Sequence, residues 1–281
     1  MRLLLLILSS ACAFKLPNAS FGVANTEAKK HPFESYESLP EVPAFDGDLF
    51  MIFAHADDEL LTLSYAARMQ KLYPQKAIHW ILVSDSKKGL IIPTACGVKS
   101  AAECRRDEAR KAAACVGLKD PYEMKLPDGG VAKVKDLDKK LAQTIKKLTK
   151  DKVGLILTHD FTGVYGHADH IAIHDALSKI TNENKWPMLT AGIPPEFRKH
   201  IKIRGEAGKG REDVPVTHIF KLDDELKKQM ACAIEAHDSQ KFLLWLMRKF
   251  MTTEGYLDRI PLQFYSLKIN EPAPRQEPTA N

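Results

Sequence analysis

The sequence predicts an α/β fold: a Rossmann-like, mostly parallel sheet with helices on both faces, in a single domain. Two observations carry this. Short apolar runs alternate with helical patterns along the chain, which is the signature of strand–helix–strand units. Several of those runs are continuously apolar, as strands covered on both faces must be. A chain of 281 residues also suffices to bury a sizeable core.

The strand candidates are "LFMIFA" (49–54), "AIHWILVS" (77–84), "YEMKL" (122–126), "VGLILTH" (153–159) and "THIFKL" (217–222). Between them, residues 59–72 place Leu60, Leu61, Leu63, Ala67 and Leu72 at helical spacing, with Pro74 as the stop. A second helix opens at "SAAE", where Ser100 and Glu103 have the spacing of a capping box, and closes at Gly117. A third carries the stripe Leu137, Leu141, Ile145 and Leu148. No internal repeat is present.

The N-terminal stretch has one basic residue, an apolar run from Leu3 to Leu8, and then small residues. It reads as a signal peptide over residues 1–13, with Ala11 and Ala13 as an A-x-A site, and so implies export to a periplasmic or extracellular space. Cys12 offers a second route, a lipid anchor; the run is too short for a transmembrane span. Residues 14–46 read as a linker or wrapped arm, 47–270 as the domain, and 271–281 as a disordered tail. Four cysteines follow the signal stretch. Cys96 and Cys104 are spaced to close a short disulfide loop, while Cys115 and Cys232 lie in apolar helical patterns and read as buried thiols. The absence of C-x-x-C argues against a cysteine zinc site. Lys and Arg number 41 against 36 Asp and Glu, but the lysines are scattered along helix faces, which excludes a nucleic-acid stripe.

Chemistry concentrates at two strand ends. "AHADDEL" (54–60) follows the first strand, and "THDFTGVYGHADH" (158–170) follows "VGLIL". Ligands of open α/β sheets bind beyond the carboxyl ends of strands. His55 and Asp58, three apart at one junction, can point at a centre that His170 reaches from the other. Two histidines and an aspartate suit zinc, with the fourth position left for water whose pKa falls to about 7. Asp57, beside a ligand but not needed as one, is placed to take a proton from that water. Read separately, "DDE" is also an ordinary helix N-terminus, with an acidic cap favouring the dipole.

Together the two motifs resemble the A-H-P-D-D-E and H-P-D-H signatures of the PIG-L/LmbE-like family of zinc-dependent N-acetyl-sugar deacetylases. The likeness extends to "CRRDEARKAAACVGL" and "LPDGG" and covers roughly residues 47–180. It implies one Zn2+ per chain on His55, Asp58 and His170, with Asp57 as general base. It further implies that His167 stabilises the oxyanion, that Asp169 orients or charges His167, and that Tyr165 protonates the amine or polarises the carbonyl. Arg105 and Asp128 fall where the family holds sugar hydroxyls or the acyl group. Ala56 and Ala168 replace the family's prolines, which predicts a slightly looser turn.

Six further residues stand apart from this set. His237 in "EAHDSQ" matches a family feature but continues an apolar stripe, and so reads as a core or interface histidine; His174 reads as buried. His159 and Asp160 are expected at the rim of the site, and Trp245 and Phe250 in the core. The implied function is an exported hydrolase that deacetylates an N-acetylated amino sugar, of N-acetylglucosamine type. Two alternatives stand beside it: a secreted glycan-binding protein of the same fold, and a small-molecule thiol-sugar deacetylase.

Overall fold

In a computed structural model of the chain, residues 45–89, 93–149, 152–192, 216–240 and 259–264 are described. The expected signal stretch, most of the arm, Trp245, Phe250 and the tail lie outside them. Seven strands form one sheet: β1 (Asp48–Phe53), β2 (Ile78–Ser84), β3 (Tyr122–Leu126), β4 (Val153–His159), β5 (Met188–Ala191), β6 (His218–Lys221) and β7 (Arg259–Phe264). Their order is β3-β2-β1-β4-β5-β7-β6. Strands β1 to β5 are parallel neighbours, whereas β7 runs antiparallel to both β5 and β6.

The five principal helices are α1 (Leu63–Leu72), α2 (Ala101–Cys115), α3 (Leu137–Leu148), α4 (Ala168–Asn184) and α5 (Asp224–Ala236). They cover both faces of the sheet, and β1 shows why. Leu49, Met51 and Phe53 join one core with α1, α2 and α5, while Phe50, Ile52 and Ala54 join a second core with α3 and α4. A strand whose alternate side chains meet two apolar layers must be apolar throughout. The Ser100–Glu103 capping box forms as expected: the Ser100 hydroxyl accepts from Glu103 N at 3.3 Å and Glu103 Oε2 accepts from Ser100 N at 3.0 Å. The first predicted helix divides into a short 3-10 turn, Asp58–Leu61, and α1. Among the described residues, no helix is long and apolar enough to cross a membrane.

Two sequence expectations need correction. Strands β5 and β7 were not expected. The cysteines Cys115 and Cys232 are not thiols but a disulfide, with their Cα atoms 5.8 Å apart, and Cys96–Cys104 is a second disulfide at 5.3 Å. The small residues Ala109, Ala112, Ala113 and Ala233 pack in one core where α2 and α5 meet, and close packing of these helices brings the distant pair within reach.

Chain order sets the place of the site. From β1 the chain steps outward through β2 and β3, then returns to β4 on the other side of β1. The crevice at such a reversal opens beyond the carboxyl ends of β1 and β4, where both histidine-rich motifs begin.

Candidate active site

His55 and Asp58 sit in the turn that ends β1, and His170 in the first turn of α4. His55 Nδ1 lies 3.1 Å from His170 Nε2, and Asp58 Oδ2 lies 3.2 Å from the first and 3.3 Å from the second. Tetrahedral zinc with bonds of about 2.0–2.1 Å would separate its ligand atoms by about 3.3–3.4 Å, so these three atoms have the spacing of one face of such a site. The donor chemistry agrees. His170 Nδ1 faces the Gly163 carbonyl at 3.2 Å; donating there leaves the Nε2 lone pair for a cation. Gly163 has φ +68°, and a Cβ on it would come 2.7 Å from Ile171 Cγ1, so this carbonyl stands where only glycine fits.

Negative charge is in surplus around His55. Its Nε2 lies 3.2 Å from Asp128 Oδ1 and 3.4 Å from Asp169 Oδ2, and the Asp58 carboxylate faces its other nitrogen. Burial opposes protonation of His55, but the three carboxylates outweigh it and raise its pKa well above the usual value. A cation answers the same surplus. The residues therefore fit a divalent metal.

Asp57 does not cap the turn it precedes. Its carboxylate instead pairs with the Arg105 guanidinium, Oδ2 to Nη2, at 2.8 Å. Its backbone is left-handed, with φ 104°, and its N–H donates to Glu59 Oε2 at 2.8 Å. Burial lifts the Asp57 pKa to about 6, against the opposing pull of Arg105. Arg105 also donates to the Ala56 carbonyl.

His167, the residue before α4, accepts from Asp169 N through Nδ1 at 3.2 Å, which leaves Nε2 to carry the proton. Burial, with the neighbouring His170 and His55, lowers its pKa to about 4, so it is neutral at pH 7. Its ring stands 4.5 Å from that of His170 and 4.7 Å from that of His55, centroid to centroid. The Tyr165 ring meets His167 edge-on at 5.8 Å.

Several placements differ from expectation. The Asp169 carboxylate accepts from Gly129 N at 2.7 Å and Val131 N at 3.1 Å, and faces His55; only the Asp169 backbone meets His167. It thus anchors the "LPDGG" loop against the cage, while its charge still favours a proton on His167 and its N–H holds the ring. Asp128 accepts from Lys88 N at 2.7 Å; burial would raise its pKa, but His55 and that N–H bring it down to about 2. Arg105 is buried against Asp57, so both residues assigned to sugar hydroxyls or the acyl group face groups of the site itself. His159 and Asp160 are not at the rim. Both are buried: His159 stacks on His170 at 3.9 Å and accepts from Ala54 N at 3.0 Å, while Asp160 accepts from Val164 N at 2.7 Å. His174 is buried as expected, with Nδ1 at 2.9 Å from the His159 carbonyl.

The turn lacking proline is not left slack. Ala56 N donates to the Ser86 hydroxyl at 3.0 Å, a bond that a proline cannot make.

Residues 50–181 match the PIG-L family model, described as GlcNAc-PI de-N-acetylase. A curated relative from Thermobispora bispora, 1D-myo-inositol 2-acetamido-2-deoxy-alpha-D-glucopyranoside deacetylase, is 23% identical and aligns with 82% of this chain and 91% of its own. Among solved structures, a deacetylase of the teicoplanin biosynthesis pathway superposes with a TM-score of 0.54 at 17% identity, covering 77% of this chain and 98% of its own. The 4-carboxy-2-hydroxymuconate hydratase of Pseudomonas putida KT2440 gives 0.55 at 16% identity, covering 81% and 99%. A hydratase on this fold shows that the architecture alone does not set the reaction. The sequence match and the two motifs on one crevice do more: over residues 50–181 this chain carries a PIG-L family domain.

Proposed function

We propose that this chain is a metal-dependent amidohydrolase that removes the acetyl group from an N-acetylated amino sugar. The observation that carries the reading is the triangle of His55 Nδ1, Asp58 Oδ2 and His170 Nε2, 3.1–3.3 Å on its sides, beside the half-buried Asp57 carboxylate. His55, Asp58 and His170 would hold the ion, with zinc favoured by two imidazoles and one carboxylate. Bound there, it supplies a Lewis acid that polarises the acetamide carbonyl and acidifies water.

The chain's own residues do the rest. With a pKa near 6, Asp57 is ionised at neutral pH yet basic enough to accept a proton from the attacking water. As the water oxygen bonds to the carbonyl carbon, negative charge develops on the carbonyl oxygen. Neutral His167 carries its proton on Nε2 and donates it as a hydrogen bond to that charge. Cleavage of the C–N bond then needs a proton on nitrogen, which Asp57 returns; Tyr165 stands beside His167 as a second donor. The products are acetate and the free amine.

Export belongs to the same proposal. It is supported by the signal-like N-terminus and by the pairing of Cys96 with Cys104 and Cys115 with Cys232, since disulfides persist in oxidising compartments. A second reading, a small-molecule deacetylase, draws support from the Thermobispora relative, whose substrate is an amino sugar on inositol. The glycan-binding reading has no use for a base. The test is acetate release by the metal-loaded protein from N-acetylglucosamine, N,N'-diacetylchitobiose and an N-acetylglucosaminyl inositol, with metal content measured in parallel. Turnover of the disaccharide favours the glycan reading, and turnover of the inositol glycoside alone favours the small-molecule one. Tight binding with no acetate from any of them overturns the proposal.

A further inference from the structure

The buried segment after α5 has no place in the chemistry above, yet it reaches the residue on which that chemistry turns. His237 caps the end of α5 and has no exposed surface. Its Nε2 lies 2.6 Å from Glu59 Oε1, and Glu59 is equally buried. The other Glu59 oxygen, Oε2, accepts from Asp57 N at 2.8 Å. Two residues on, Ser239 donates to Glu108 through N at 2.6 Å and Oγ at 2.7 Å. Glu108 lies one turn of α2 beyond Arg105, the cation that pairs with the Asp57 carboxylate.

A left-handed backbone is uphill for an aspartate, by roughly 1–3 kcal/mol in general, and persists only where surroundings over-determine it. At Asp57 the surroundings are specific: Glu59 fixes the N–H and Arg105 fixes the carboxylate. We propose that His237 is a positioning residue for Asp57: by holding Glu59 it locks the strained backbone that aims the Asp57 carboxylate into the crevice. Glu59 is the link, and the Ser239–Glu108 contact seats the His237 segment on the helix that presents Arg105. His237 touches no reacting atom. The proposal rests on Asp57 acting as the base in the deacetylase reading.

Misplacement of a reacting group by about 1 Å costs on the order of 100-fold in rate. The expected effect of His237→Ala is therefore a 10- to 100-fold fall in kcat, roughly, with KM within about twofold and metal content unchanged. The decisive measurement repeats the substitution in an Asp57→Asn background. If His237 acts through Asp57, its further effect there shrinks to less than about threefold, because the group it positions has gone. A structural role would cost the same factor in both backgrounds, and that result overturns the proposal, as does loss of metal from His237→Ala. Glu59→Gln carries the same test should His237→Ala not fold. A crystal structure of the folding variant gives a readout independent of turnover: Asp57 should leave φ 104° and separate from Arg105. An undisturbed Asp57 overturns the positioning role. A wild-type protein that releases no acetate overturns the deacetylase reading instead, and the crystal structure then decides the His237 question alone.

Discussion

The Arg105 guanidinium lies 2.8 Å from the Asp57 carboxylate, and it is the cation that restrains a pKa which burial drives upward. Asp57 must be ionised to accept a proton, so activity should rise with pH through about 6. Arg105→Gln removes the opposing charge and should move the acidic limb of kcat/KM to higher pH, with the greatest loss on the acid side. A limb that stays in place would assign it to another group.

Asp57→Asn keeps the shape of the side chain and removes the base. Turnover should fall by about 100- to 10,000-fold, which is about 3 to 5.5 kcal/mol of barrier. Metal content should stay at the wild-type level, as shown by elemental analysis of the same sample.

The metal cage can be told from its neighbours. His55→Ala, Asp58→Ala and His170→Ala should each lose bound zinc and acetate release. His159→Gln should retain one ion at saturating zinc, although His159 Nε2 lies 3.6 Å from Asp58 Oδ2, because that nitrogen already accepts from Ala54 N. Loss of zinc in His159→Gln would place His159 in the ligand set.

Ser86→Ala should destabilise the protein without touching the reacting groups. It leaves the buried Ala56 N–H unpaired, at a cost of about 1–3 kcal/mol measurable by urea unfolding without reductant. A change within error would mean that another group takes up that N–H.

Mass mapping without reduction should recover Cys96 joined to Cys104 and Cys115 joined to Cys232. The two bridges should differ in thermodynamic weight. Loop-closure entropy gives on the order of 5 kcal/mol for a separation of 117 residues and on the order of 2.5 kcal/mol for a separation of 8. Removing Cys115 and Cys232 together should therefore lower the unfolding midpoint further than removing Cys96 and Cys104.

How far the sequence could be read depended on the range of each interaction. Strands β1 to β4 were legible because each is a run with apolar contacts to make. Strand β5 has four residues, too few for periodicity, and β7 carries Pro261, which locally argues against a strand beside two others. The motif residues were legible from order and spacing along the chain. The direction of each side chain was not. Asp169 reaches residues 129 and 131, and Glu108 reaches Ser239, across gaps that no local pattern encodes. His159 left one usable signal: it lies two residues after the continuously apolar run "VGLIL", and a strand buried on both faces carries its last side chain inward too. The Cys115–Cys232 pair left none, since its partners meet only once two helices have packed.

That bridge also alters the covalent topology of the molecule. Residues 115 to 232 form a ring, and every strand from β3 to β6 lies inside it. A single peptide-bond cleavage within the ring opens it without dividing the molecule. The half carrying His55 and Asp58 stays tethered to the half carrying His237, whichever bond in the ring is cut. One cut there is therefore a nick and not a severance, until a reductant completes it.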